Sequence, residues 1–175
     1  VKNAVAAAER WLNRFLSTIV IALFAVLLVL VVWQVFTRLV LGAPSTWTEE
    51  AARFTFVWVS FIGIAVATGQ KADVVMDFVV ERLPVRIQRG ADVIAYLSTL
   101  AFVVYALIYG GGKQATLAWE QANPILPLTQ GQLYLAMPIA GVLLALYLIL
   151  HIGRTLGPGY AARSRAHEDP EAASI

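Results

Sequence analysis

The chain of 175 residues has no cysteine and only two histidines. The first absence excludes a disulfide framework and any thiolate metal site. The second leaves little for haem or metal chemistry: His167 sits in the tail and His151 at a helix end, where it reads as an interfacial, solvated side chain. Charge is also scarce. Only 14% of residues are charged and 59% are hydrophobic, whereas soluble domains carry about one quarter charged residues. That balance describes an integral membrane protein. A net charge of +2 is too small to argue for a nucleic-acid partner. No Ser/His/Asp set, no Cys/His set and no HExxH motif is present. Gly110-Gly111-Gly112-Lys113 superficially resembles a phosphate loop, but the upstream Gly, the following Ser/Thr and a preceding strand are all missing. Catalysis has no support, and neither a repeat nor a second domain can be discerned.

What the chain does have is four long apolar runs, about 15–41, 51–69, 91–112 and 131–152. Each is close to the roughly 20 residues that cross a bilayer as a helix. They predict an all-α membrane protein, a single domain over 15–156. Residues 1–14 form a short lead with Lys2, Arg10, Arg14 and Trp11, read as interfacial. The first run is too long for a signal-peptide core and lacks a small-residue cleavage site, so it is expected to be retained. Between the second and third runs, Asp73, Asp77 and Glu81 recur every four residues on an otherwise apolar stretch. This predicts a short interfacial helix, ended by Pro84. Residues 157–175 are rich in Gly, Pro, Ala and charge and are expected to be disordered. Ten basic residues fall in the lead, the 70–90 loop and the tail, against Arg38, Arg53 and Lys113 on the other side. By the positive-inside rule both termini face the cytoplasm.

The most informative stretch is 46–63, TWTEEAARFTFVWVSFIG. Thr46 and Glu49 have the spacing of a capping box. Glu49, Glu50 and Arg53 fall three and four residues apart and so share one helix face. Arg38, one turn after Gln34 at the far end of the first span, has two readings: it snorkels to the interface, or it pairs with Glu49 or Glu50. Trp47 is either an interfacial belt residue or a subunit contact. Trp58 and three phenylalanines make the second span unusually aromatic. Gly63 with Ala67, Ala65 with Gly69, and Gly141 with Ala145 are small-residue pairs that let helices approach closely. Pro138 lies one or two turns into the fourth span, where a kink is tolerable if neighbours satisfy the freed carbonyl.

The middles of the spans hold no ionisable residue; Gln34, Thr37, Ser60, Thr68, Ser98 and Thr99 are the polar side chains there. A self-contained, homodimeric transporter coupled to protons or cations would need a carboxylate at that depth. A membrane anchor for a redox enzyme would need haem-ligating histidines in the spans. Both remain as alternatives of another class, but neither finds its residues.

The order of features resembles the small, four-helix membrane subunit of tripartite ATP-independent periplasmic (TRAP) transporters, the DctQ-like family. The residues that carry the resemblance are Arg38, Trp47, Glu49, Glu50, Arg53, Trp58 and Gly63, followed by Lys71, Asp77, Pro127, Pro138 and Gly141. Asp73 stands where family members have a His, and Met76 where they have a Val. The resemblance covers about 15–152. It implies a non-catalytic subunit in the bacterial inner membrane, with no cofactor of its own. Its partners would be a large, elevator-type membrane subunit, in which sodium coupling resides, and a soluble periplasmic substrate-binding protein. The implied cargo is organic acids. The small subunit would scaffold the large one and help dock the periplasmic protein, with Arg38, Glu49, Glu50 and Arg53 fixing the outer helix ends.

Overall fold

The computed structural model describes residues 2–70 and 84–156, and four of its helical stretches are long and apolar enough to cross a membrane. Helix α1 spans Lys2–Leu39 and α2 spans Thr46–Gly69. The third span is α3 (Val85–Phe102), a π-helical segment (Val103–Gly110) and α4 (Gly111–Leu117) in one unbroken rod. The fourth is α5 (Gln130–Tyr134) and α6 (Ala136–Leu156). Asp73, Asp77 and Glu81, with the interfacial helix expected around them, lie outside the described residues, as does the tail from 157.

Helix α1 has 38 residues, about 57 Å at 1.5 Å per residue, nearly twice the ~30 Å hydrocarbon core. No boundary falls at residue 14; nothing in KNAVAAAERWLNRF breaks a helix, so the lead and first span are continuous. The turn to α2 depends on Gly42, whose φ of +64° favours glycine. There α2 starts earlier than the apolar run suggests. Its N-cap is Ser45, so Thr46 is already helical and the expected Thr46–Glu49 capping box does not form. Instead the Glu49 N–H and the Thr48 hydroxyl both donate to the Ser45 carbonyl, at 3.4 and 2.8 Å.

Pro138 breaks the fourth span as its chemistry requires. A proline ring displaces the carbonyl four residues back and supplies no N–H, and α5 ends at that residue, Tyr134. In the third span the Gly111 N–H reaches back five residues to the Ala106 carbonyl, the π pattern. The glycine run 110–112 is helix throughout, with no loop that could cradle a phosphate.

The spans pack in the order first, second, fourth, third. Two apolar clusters hold them. Leu16, Ile62, Val66 and Tyr147 join α1, α2 and α6. Ala65, Val103, Leu144 and Leu148 join α2, the π segment and α6. The second and fourth spans are therefore central, 33% and 39% buried over their most apolar windows, while the first and third are edges at 6% and 11%. Between helices in lipid, close packing does the work that water exclusion does elsewhere. Gly69 and Gly141 are where this geometry demands a missing side chain. A Cβ on Gly69 would lie 2.6 Å from Asn13 Oδ1 and 2.7 Å from the Tyr147 ring, and one on Gly141 would lie 3.0 Å from Leu107 Cβ.

Candidate functional site

Polar chemistry gathers at the two ends of the bundle. At the end where α2 begins, Arg53 Nη2 donates to Glu50 Oε2 at 2.6 Å, a pairing that follows from their separation of three residues. The same oxygen accepts a second bond, 2.9 Å from Asn123 Nδ2, across 73 positions of sequence. Asn123 is buried and also organises its own loop. Its Oδ1 accepts the N–H groups of Ile125 and Leu126, and its N–H donates to the Leu128 carbonyl. An antiparallel bridge between Ala122 and Thr129 closes that loop, and the Gln132 side chain accepts the Thr129 N–H at the start of α5. Glu50 thus ties α2 to the connection between the third and fourth spans.

The other residues of this end are not part of that tie. Glu49 is exposed and forms no ion pair among the described residues, although its spacing from Arg53 allows one. Arg38 is exposed too, and it pairs with neither Glu49 nor Glu50. Trp47 is 53% exposed at the helix start. Trp58 packs half-buried against the Leu16–Ile62–Val66–Tyr147 cluster. Gly63 faces open space, so the Gly63/Ala67 pair makes no close contact within this chain. Ala65 and Gly69 are both buried in the bundle. Pro138 and Gly141 meet the third span, Pro138 against Gly111 and Gly141 against Leu107 and Ile108. Asp77 lies outside the described residues.

The opposite end joins groups that lie far apart in the sequence. The Tyr147 hydroxyl donates to Asn13 Oδ1, and Asn13 Nδ2 to the Gly69 carbonyl at 3.4 Å. One side chain on α1 therefore locks the end of α2 to the middle of α6. Arg154 holds Glu9 with both terminal guanidinium nitrogens, and Arg89 donates to the Leu156 carbonyl. Gln88, Asp92 and His151 are buried here. His151 is not the solvated residue expected from its place near a helix end. It is 3% exposed with its ring against Tyr96, enclosed where the third span packs on the fourth. Asn13 and Tyr147 are separated by 134 residues, so no local pattern marks them. Asn13 is legible only as the one uncharged polar residue in a helix turn otherwise occupied by Arg and apolar side chains.

This arrangement fastens helices together. Among the described residues no group of three His, Asp or Glu is placed to hold a metal ion. Ser and Thr hydroxyls along the spans, such as Thr55, Ser60, Ser98 and Thr99, donate to backbone carbonyls of their own helices.

Residues 27–157 match the family described as tripartite ATP-independent periplasmic transporters, DctQ component. A Haemophilus influenzae protein bearing a TRAP transporter small permease designation is 28% identical over 83% of this chain and 90% of its own length. The sialic acid TRAP transporter small permease protein SiaQ of Vibrio cholerae is 30% identical over 64% of this chain and 60% of its own. The isethionate TRAP transporter permease protein DctMQ of Oleidesulfovibrio alaskensis is 32% identical over 62% of this chain, a stretch that makes up only 17% of that longer protein.

Proposed function

The chain belongs to the DctQ component family of TRAP transporters, a family of transporter subunits and not of enzymes, and from that premise we propose how this multi-pass membrane protein serves a larger assembly. It acts as a fixed scaffold in the bacterial inner membrane. It widens and anchors a large, elevator-type membrane subunit that carries the substrate and sodium sites, and it needs no cofactor itself. The observation that carries this reading is the placement of charge. The described ion pairs, Glu50–Arg53 and Glu9–Arg154, lie at the ends of the spans, where they fix helices, and the middles of the spans hold no Asp, Glu, Lys or Arg to carry a coupling ion across. The long DctMQ relative, whose matched part is 17% of one polypeptide, supports a larger membrane partner. Relatives named for isethionate and sialic acid support organic acids as the cargo.

Both termini face the cytoplasm in this reading, so Arg38, Trp47, Glu49 and Arg53 are turned to the periplasm. All four are exposed, Arg53 alone being held by Glu50, and they offer charge and an aromatic ring to a docking periplasmic binding protein. Purified alone into liposomes, the chain should move no organic acid under a sodium gradient. Uptake should arise only when the large subunit and the binding protein are added. Flux through the isolated chain overturns the proposal. Because the protein lacks cysteine, a single cysteine at Trp47 reports orientation, through labelling of whole cells by a membrane-impermeant maleimide.

A further inference from the structure

The third span is an edge of the bundle, and its free side carries a polar feature that lipid cannot serve. The stretch 93–112 contains no charged residue, about the length that crosses the hydrocarbon core. Tyr105 lies near its middle and Tyr109 one turn on, 75% and 64% exposed, with their rings stacked at 6.2 Å. Side chains on a helix lean toward its N-terminus, which carries both hydroxyls deeper into the bilayer, away from the nearer surface. The Ser98 and Thr99 hydroxyls of the same span donate to the Ala95 carbonyl, whereas neither tyrosine hydroxyl has a hydrogen-bond partner among the described residues. A polar group left bare in hydrocarbon is costly, and acyl chains offer no acceptor.

Two further observations fit a protein neighbour. Ile94 and Phe102 continue the same exposed stripe at helical spacing, 69% and 63% exposed. Gly112, three residues beyond Tyr109, has nothing within 4 Å of where a Cβ would stand, leaving a notch into which another helix backbone can fit. The widened π turn carries the tyrosine pair, and such turns recur at functional positions.

We propose that the Tyr105–Tyr109 face of the third span is the seam against the large membrane subunit, and that a transmembrane helix of that subunit presents hydrogen-bonding groups to the two hydroxyls within the bilayer. This rests on the scaffold reading above and names the surface through which it operates.

The test places photoreactive p-benzoylphenylalanine at Tyr105 or, in a separate strain, at Val29 on the exposed side of α1. Cells expressing the whole transporter are then irradiated. Position 105 should yield an adduct with the large permease chain, identified by its tag. Tyr105→Phe with Tyr109→Phe, which removes the hydroxyls alone, should weaken the solubilised complex about tenfold without shifting the melting of the isolated chain. An adduct from position 29 and not from 105 puts the seam on α1; it overturns this proposal while leaving the scaffold reading intact. Adducts at 105 only to lipid, or to a second copy of this chain, also overturn it. If no large chain is captured from either position and none co-purifies, the scaffold reading fails first and the seam with it.

Discussion

Glu50 is the residue whose removal tests the outer-end geometry most directly. In Glu50→Ala, the buried Asn123 side chain loses a charged acceptor at 2.9 Å, and Arg53 loses its 2.6 Å partner. The two losses are unequal. A hydrogen bond to a charged group contributes about 1.5–3 kcal/mol, and stranding the buried donor forfeits most of it. The Arg53 pair contributes about 0–1 kcal/mol, since the Arg53 side chain is 54% exposed and solvent screens the pair. Glu50→Ala should therefore cost about 2–3 kcal/mol, a melting decrease of about 5–10 °C for a chain of this size. Arg53→Ala should cost less than about 1 kcal/mol. Glu50→Gln, which keeps an acceptor without the charge, should fall between them. The assay is thermal unfolding of the purified chain in detergent, with a double-mutant cycle between Glu50→Ala and Asn123→Ala. The cycle should return a coupling of about 1 kcal/mol or more. An Arg53→Ala loss as large as that of Glu50→Ala, or a coupling of zero, refutes the assignment of Asn123 as the principal partner.

Four further outcomes follow from the packing. Gly69→Ala drives a methyl to within 2.8 Å of the fully buried Tyr147 ring and should destabilise by about 1–3 kcal/mol, read in the same melting assay. Gly63→Ala meets open space and should leave the isolated chain unchanged or stabilise it by about 0.5–1 kcal/mol through helix propensity; a large melting loss there contradicts the packing described. Tyr147→Phe keeps the ring and removes the bond to Asn13, for a loss of about 1 kcal/mol, and its combination with Asn13→Ala, which also forfeits the bond to Gly69, should fall short of the sum of the two single losses. Gly42→Ala forces a φ of +64° on a side chain and should cost about 1 kcal/mol at the first turn between spans, measurable as faster proteolysis of that turn.

The four spans were legible because a bilayer imposes one rule, about 20 apolar residues per crossing, and that rule leaves its mark on a local window. Their ends were harder to read. Helix α2 begins five residues before its apolar run, its Thr48 hydroxyl served locally by the Ser45 carbonyl, and the third span begins several before its own, where the fold buries Gln88. The Glu50–Arg53 pair could be inferred from a spacing of three residues. That Glu49 and Arg38 stand apart from it could not, since helix spacing allows those contacts without choosing among them.

The sequence by itself determined that the chain is helical, that it crosses a membrane four times, and that charge is confined to the ends. Those properties follow from hydropathy and helical period, which act within a few turns. Only the tertiary structure decided that the second and fourth spans are central, that Asn123 shares Glu50 with Arg53, that Asn13 reaches Tyr147, and that His151 is enclosed. The physical reason is separation: these contacts join residues up to 134 positions apart, and a choice among equally apolar faces depends on where small side chains let two helices touch.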